Sequence, residues 1–353
     1  MSETLKFSTP GAVDTTTGAE AQEQDLRFRA LQAGLFLLRL GPALILLLLC
    51  IGVSLGVENF FTTRNIGNVL QQSSVVSILA LGQLLVIVTR GIDLSVQSTL
   101  ALSSVVGAIV FQHVDSGALV IVAMLGAGLV VGLVNGVVFV YGRVPHPFIV
   151  TLASFLAVEG IALLISDGTP ILGMPNVVQT IGGGSIGWFP YSYFVVACLA
   201  ALVVVACSAL VWGRWLYAVG GNPEGARRTG VPVRKVLISV YVLSGLAAAV
   251  GGLIVSGLTD TGSATFGDGT QLDSIGAVII GGAAFAGGRG NAGNALVGAL
   301  TIGVIRNALN LANVSAYYQL IVIGLVVIFA VEADVFRGYL ENRFRVAQAA
   351  RAG

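Results

Sequence analysis

The feature that most constrains this chain is its succession of nearly charge-free apolar runs, such as LVIVAMLGAGLVVGLVNGVVFVY at 119–141 and YSYFVVACLAALVVVACSALVW at 191–212. A helix rises about 1.5 Å per residue, so about 20 residues cross the ~30 Å hydrocarbon layer of a bilayer. Cut on that ruler, the chain divides into ten spans near 35–57, 68–89, 94–112, 117–141, 147–166, 191–212, 236–258, 271–286, 291–312 and 315–333. The eighth, IGAVIIGGAAFAGG, is short and glycine-rich and is expected to be broken or re-entrant. Only 10% of residues are charged, against roughly 25% in soluble domains, which excludes a soluble protein. The abundance of apolar residues excludes a disordered chain. A net charge of +1 leaves no electrostatic basis for nucleic-acid binding. The expected fold is an all-α integral membrane protein with a polar, disordered cytoplasmic tail over 1–32, a membrane domain over 33–335 and a cytoplasmic C-terminal tail over 336–353.

With so few charges, their positions give the orientation. Lys and Arg are retained on the cytoplasmic side of short connections. If the N-terminus is inside, the inner connections hold Arg90, Arg143, Arg214, Arg227, Arg228, Arg234, Lys235 and Arg289, and the two tails together with Arg39 at the inner end of the first span hold eight more. Only Arg64 falls outside, and Arg306 lies within a span. The expectation is a multi-pass membrane protein, with lipid around it and both termini cytoplasmic. The outer link after span seven, TDTGSATFGDGTQLD, carries Asp260, Asp268 and Asp273 without a basic residue. It reads as a dock for a soluble partner or as a solvated loop. Cys50, Cys198 and Cys207 lack CxxC or His spacing and read as apolar packing residues, so no metal site is expected.

The longest inner connection, 213–236, contains the punctuation of a short helix. Asn222 is a good N-cap, Pro223 suits the first helical position, and Glu224 favours the positive end of the helix dipole. Gly230 is placed to end the helix, and Arg227 and Arg228 sit near its negative end. About two turns of helix are not stable alone, so this one is expected to pack against something.

GGNPEGARRTG followed by VPVRKV resembles the cytoplasmic loop of bacterial ABC-importer permeases, most closely those for ribose and related monosaccharides. RGIDLSVQS at 90–98, VPHPFIVTLAS at 144–154, QLDSIGAVIIGGAAFAGGRGN at 271–291 and NALNLANVSAYYQLIVIG at 307–324 are similar to the same family in the same order. The resemblance implies a type II-like permease fold. It also implies cytoplasmic ABC ATPase subunits as partners, an extracytoplasmic sugar-binding protein, and a second permease copy forming a homodimer or heterodimer. In that family the loop is the coupling helix held by the ATPase. The matching residues are Asn222, Glu224, Ala226 and Gly230, with Arg227 and Arg228 on its exposed face. The chain has no GxxxxGK[ST] motif. No cofactor is therefore expected on this chain, with ATP and Mg used by the partner ATPase.

Asp93 in RGIDLS reads as an N-terminal cap of span three with Arg90 as counter-charge, or as part of a gate. Charges inside spans are functional candidates by default. Glu159 and Arg306 are the two clear ones here, away from the span ends, and both depart from the family pattern, which has a basic residue near the first position and an asparagine near the second. They either pair with each other or line a wet pathway with Asn135, Asn307 and Asn310. GLVNGVV…VPHPFIV at 132–150 echoes GVIRNAL…SAYYQLI at 303–321 at an offset of 171 residues, in opposite predicted directions. Opposed copies suggest an inverted repeat. The same machinery with a branched amino acid or metal chelate as cargo is the first alternative, and an ion-coupled secondary transporter the second. No constellation for an intramembrane enzyme is present.

Overall fold

A computed structural model describes residues 41–352. The tail expected over 1–32 and the opening of the first expected span lie outside the described residues. Residues 41–334 form one unit, and residues from Val335 onward group apart and carry the remainder of the last helix. Within that second group Arg343 lies over the Tyr339 ring at 5.0 Å.

Among the described residues, seven helices are long and apolar enough to cross a membrane: α2 (Thr63–Val88), α3 (Val96–His113), α4 (Gly117–Tyr141), α5 (Pro147–Ile165), α7 (Tyr191–Ser208), α10 (Val233–Thr259) and α12 (Ala292–Leu311). Shorter apolar helices are α1 (Gly41–Gly56), α11 (Thr270–Ile280) and the first part of α13, Ala316–Glu332; α13 runs Ala316–Ala352. Three small helices occupy the connections: α6 (Asn176–Gly183), α8 (Val211–Gly221) and α9 (Pro223–Arg228). The helix starts are local consequences of sequence. Ser116 accepts from Leu119 N ahead of α4, Pro147 occupies the first turn of α5, and Asn291 accepts from Asn294 N ahead of α12. Each removes an amide that the helix cannot satisfy itself.

The least apolar long helices, α2, α3 and α12, are mostly buried within the bundle, whereas the most apolar, α4, α5 and α7, are mostly not. In hydrocarbon, apolar side chains gain little by leaving lipid, so the polar ones are gathered inward. Ser73, Ser74, Ser77 and Gln83 on α2 and Gln97, Ser98, Thr99, Ser103 and Ser104 on α3 are all buried. The most extensive helix pairing is α4 on α10. Gly128, Gly132 and Gly136 recur every fourth residue along α4, and a Cβ on any of them would collide with α10 at Gly245, Tyr241 or Ile238. This is the small-residue stripe that lets two backbones approach.

The eighth span is a half-span: α11 has 11 residues and ends at Gly281, so it reaches only about halfway across the hydrocarbon. Residues 281–291 then run as a glycine-rich loop. The connection after α5 holds α6 and two short antiparallel pairs, Ile171–Leu172 with Thr261–Gly262 and Ser185–Ile186 with Phe189–Pro190. The outer link at 260–269 is tied to the rest of the protein by its polar groups. Asp260 accepts from Met174 N at 2.7 Å and Gln179 Nε2 at 2.9 Å. Asp268 accepts from Gln97 Nε2 at 2.9 Å. Ser104 Oγ on α3 both donates to Ser263 O and accepts from Ser263 N, each at 3.1 Å.

Candidate functional site

The capped helix forms where its punctuation places it, as α9. Asn222 Oδ1 accepts from Gly225 N at 2.9 Å, and Pro223 follows in the first turn. At the other end Val231 N donates to Ala226 O at 3.0 Å and Gly230 N to Arg227 O at 3.1 Å. That is the Schellman pattern, and Gly230 supplies its left-handed residue at φ +85°. Ala226 is 6% exposed and joins the main apolar cluster beside Leu216, Val236 and Val240. Glu224, Arg227 and Arg228 point the other way, exposed, with both guanidiniums on the one carboxylate at 2.9 and 3.4 Å. Such surface pairs contribute little stability. The outcome is a small helix with an anchored inner face and a charged outer face.

At the α2–α3 turn Asp93 is 1% exposed. Its Oδ1 accepts from Ser95 N at 3.0 Å and Ser95 Oγ at 2.6 Å, and its Oδ2 accepts from Ser244 Oγ of α10 at 2.8 Å. Burial pushes its carboxyl above the usual range, against the opposing effect of the Ser95 and Ser244 hydrogen bonds. Asn135 Nδ2 of α4 donates to Ser95 Oγ at 2.8 Å. One carboxylate thus ties the turn to α10, and through Ser95 to α4. The expected Arg90 counter-charge is absent: the Arg90 guanidinium turns to the carbonyls of Gly220 and Gly221 at the end of α8, because those carbonyls have no partner inside their own helix.

A second polar group lies near the N-terminus of α2. Asn65 and Asn307 exchange two hydrogen bonds at 2.9 Å, both buried. Arg306 Nη2 meets Asp273 Oδ2 at 2.5 Å, with Asp273 in the first turn of α11. The expected Glu159–Arg306 pair does not form. Glu159 belongs to α5, which packs on α3 and α4, whereas α12 packs on α2 and α11. Asn310 is exposed at the end of α12 and accepts from Gln319 Nε2 at 2.8 Å. The six candidates for pathway or gate are therefore not brought to one place. Asp93 joins Asn135, Arg306 and Asn307 sit side by side with different partners, and Glu159 and Asn310 stand apart. Sequence reasoning missed Asp273 as the partner of Arg306 by treating it as part of an outer loop; its place in the first turn of the short eighth span was the available signal. Among the described residues no cluster of His, Cys, Asp or Glu could hold a metal ion.

Compared with known proteins, the chain is 39% identical over 299 residues to the ribose import permease protein of Escherichia coli strain K12, covering 82% of this chain and 91% of that one. It is 37% identical over 307 residues to the ribose import permease protein of Bacillus subtilis, covering 84% and 92%. It is also 37% identical over 302 residues to the fructose import permease protein of Rhizobium meliloti, covering 82% and 83%. No solved structure matches it. The profile described as branched-chain amino acid transport system / permease component matches residues 65–331, which include α9, the Asp93 turn and the Arg306–Asp273 pair, and the chain belongs to that permease family.

Proposed function

We propose that this chain is the membrane subunit of an ATP-driven ABC importer for a monosaccharide. The observation behind this reading is the near full-length similarity to permeases named for ribose and fructose import. Two permease copies, identical or sister chains, enclose the pathway between them. An extracytoplasmic binding protein delivers the sugar, and cytoplasmic ATPase subunits, which hold ATP and Mg, grip α9. This assignment takes ten crossings: the seven long helices, α1, the first part of α13, and α11 together with the 281–291 loop that follows it. With that count, the excess of positive residues on the inner connections favours both termini in the cytoplasm of a bacterial cell. The inverted repeat belongs to the same proposal. The α4–α5 junction at 141–147 and the α12–α13 junction at 311–316 stand at nearly the 171-residue offset seen in sequence.

In this reading the ATPase acts on the exposed Glu224, Arg227 and Arg228, while Ala226 transfers the displacement to α8 and α10. From α10 the Ser244–Asp93 hydrogen bond reaches the α2–α3 turn. Specificity rests largely with the binding protein, and Asn135 and Asn307 stabilise the bundle where the earlier expectation placed them on the pathway. Glu159 and Asn310 remain the candidates for the pathway wall.

The family description favours one other cargo, a branched-chain amino acid. Uptake of labelled ribose, fructose, galactose and leucine into proteoliposomes carrying the permease, its ATPase and its binding protein separates the two. Saturable uptake of one monosaccharide that excess leucine does not reduce is expected. Leucine uptake without sugar uptake would establish the amino-acid reading instead.

A further inference from the structure

Three segments distant in sequence meet immediately before α9. The first is the end of α2, closed by Gly91 N donating to Val86 O and Arg90 N to Ile87 O, both at 2.9 Å. The left-handed position of that Schellman motif is usually glycine, because a Cβ there is unfavourable. Here it is Arg90, at φ +68°. A residue held in a disfavoured conformation is retained where its side chain has a task.

The second segment supplies the task. Arg90 Nε donates to Gly220 O at 2.6 Å, and Nη2 donates to Gly221 O. These are the last carbonyls of α8, and a guanidinium is well suited to them by its fork of donors and by its charge at the negative end of the helix. The third segment is the loop after α11. Gly287 and Gly288 are both left-handed, at φ +82° and +75°, and Gly288 N donates to Val88 O at 2.8 Å. A Cβ on Gly287 would collide with the Arg90 side chain, and one on Gly220 with Val88 O. Tyr217 of α8 donates to Gly290 O at 2.9 Å. Burial, with Cys207 beside it, pushes the Tyr217 hydroxyl up to about 12, so it stays a donor.

The geometry points to Arg90 as a positioning residue that makes the ends of α2 and α8 and the Gly287–Gly288 loop move as one body with α9. Displacement of α9 then reaches Asp93, three residues beyond Arg90, and the α11–α12 junction together. This rests on α9 being the ATPase contact proposed above. Without the clamp, the α2–α3 turn follows α9 only through α10 and the single Ser244–Asp93 hydrogen bond.

The test compares wild type, Arg90→Gly and Arg90→Lys in the complete complex of permease, ATPase and binding protein. It measures assembled complex, solute moved and ATP hydrolysed. Arg90→Gly removes the conformational strain together with both side-chain hydrogen bonds, so assembly is expected to persist. Solute moved per ATP is expected to fall about tenfold, the usual size of a coupling between sites. Arg90→Lys keeps the charge without the fork and is expected to fall about threefold. A merely structural role would lower the amount of complex and leave that ratio at the wild-type value, which would overturn the proposal. If Arg90→Gly fails to assemble, the ratio in Arg90→Lys decides in the same way. A wild-type complex that moves another solute overturns the sugar reading and leaves the ratio as the test here. A wild-type complex that couples no solute to ATP overturns both.

Discussion

Asn65 and Asn307 face each other amide to amide, each donating to the other at 2.9 Å across 242 residues of sequence. Asn65 Nδ2 also donates to Phe60 O. The pair closes the first turn of α2 onto α12 where neither amide can reach water. Asn307→Ala leaves the Asn65 side chain short of a partner and is expected to destabilise the protein by about 1–3 kcal/mol. Thermal unfolding in detergent checks this. Unfolding at the wild-type temperature would mean the pair is not formed.

Arg306 and Asp273 make a second such contact, with Asp273 buried and Arg306 one-third exposed. Arg306→Ala strands the carboxylate and is expected to destabilise by about 3 kcal/mol, with most of that restored by the double change Arg306→Ala/Asp273→Asn. Removing the Glu159 charge as Glu159→Gln is expected to shift stability by less than about 0.5 kcal/mol. Rescue of Arg306→Ala by Glu159→Gln in place of Asp273→Asn would restore the Glu159–Arg306 pair excluded above.

Gly128 and Gly245 leave no room for a Cβ on either side of the α4–α10 contact. Gly245→Ala must push the two helices apart, an overpacking expected to reduce stability by about 1–3 kcal/mol. Gly126→Ala, with open space at its Cβ, is expected to have no such effect, and unfolding measured for the two variants side by side checks the contrast.

The caps of α9 make a functional prediction. Asn222→Ala removes the N-cap bond to Gly225 N, and Gly230→Ala places a Cβ in the left-handed region. Each is expected to weaken this two-turn helix by about 1 kcal/mol. Membrane insertion should be unaffected, while ATPase subunits should co-purify with the permease in clearly lower yield. Wild-type co-purification of the double variant would place the ATPase contact elsewhere.

Much of this was legible in the sequence because the signals were local. Asn222, Pro223 and Gly230 mark α9 through backbone chemistry within three or four residues, and the apolar runs mark the long helices. The partners of the polar side chains were not legible. Arg90 bonds to Gly220, Asn65 to Asn307 and Arg306 to Asp273, and each choice depends on which helices lie side by side, which no periodicity encodes. The nearest charge in the chain misled for Arg90, whose guanidinium answers the unsatisfied end of α8 in preference to Asp93. The half-span α11 was foreshadowed by its glycines, whereas α8 was hidden because its residues continue an apolar run.

The most direct test of the account is sugar accumulation in proteoliposomes containing the permease, its ATPase and its loaded binding protein. Accumulation above the outside concentration is expected when ATP is supplied on the α9 side, and none with a non-hydrolysable analogue. Equal accumulation without ATP hydrolysis, driven by an ion gradient, would contradict it.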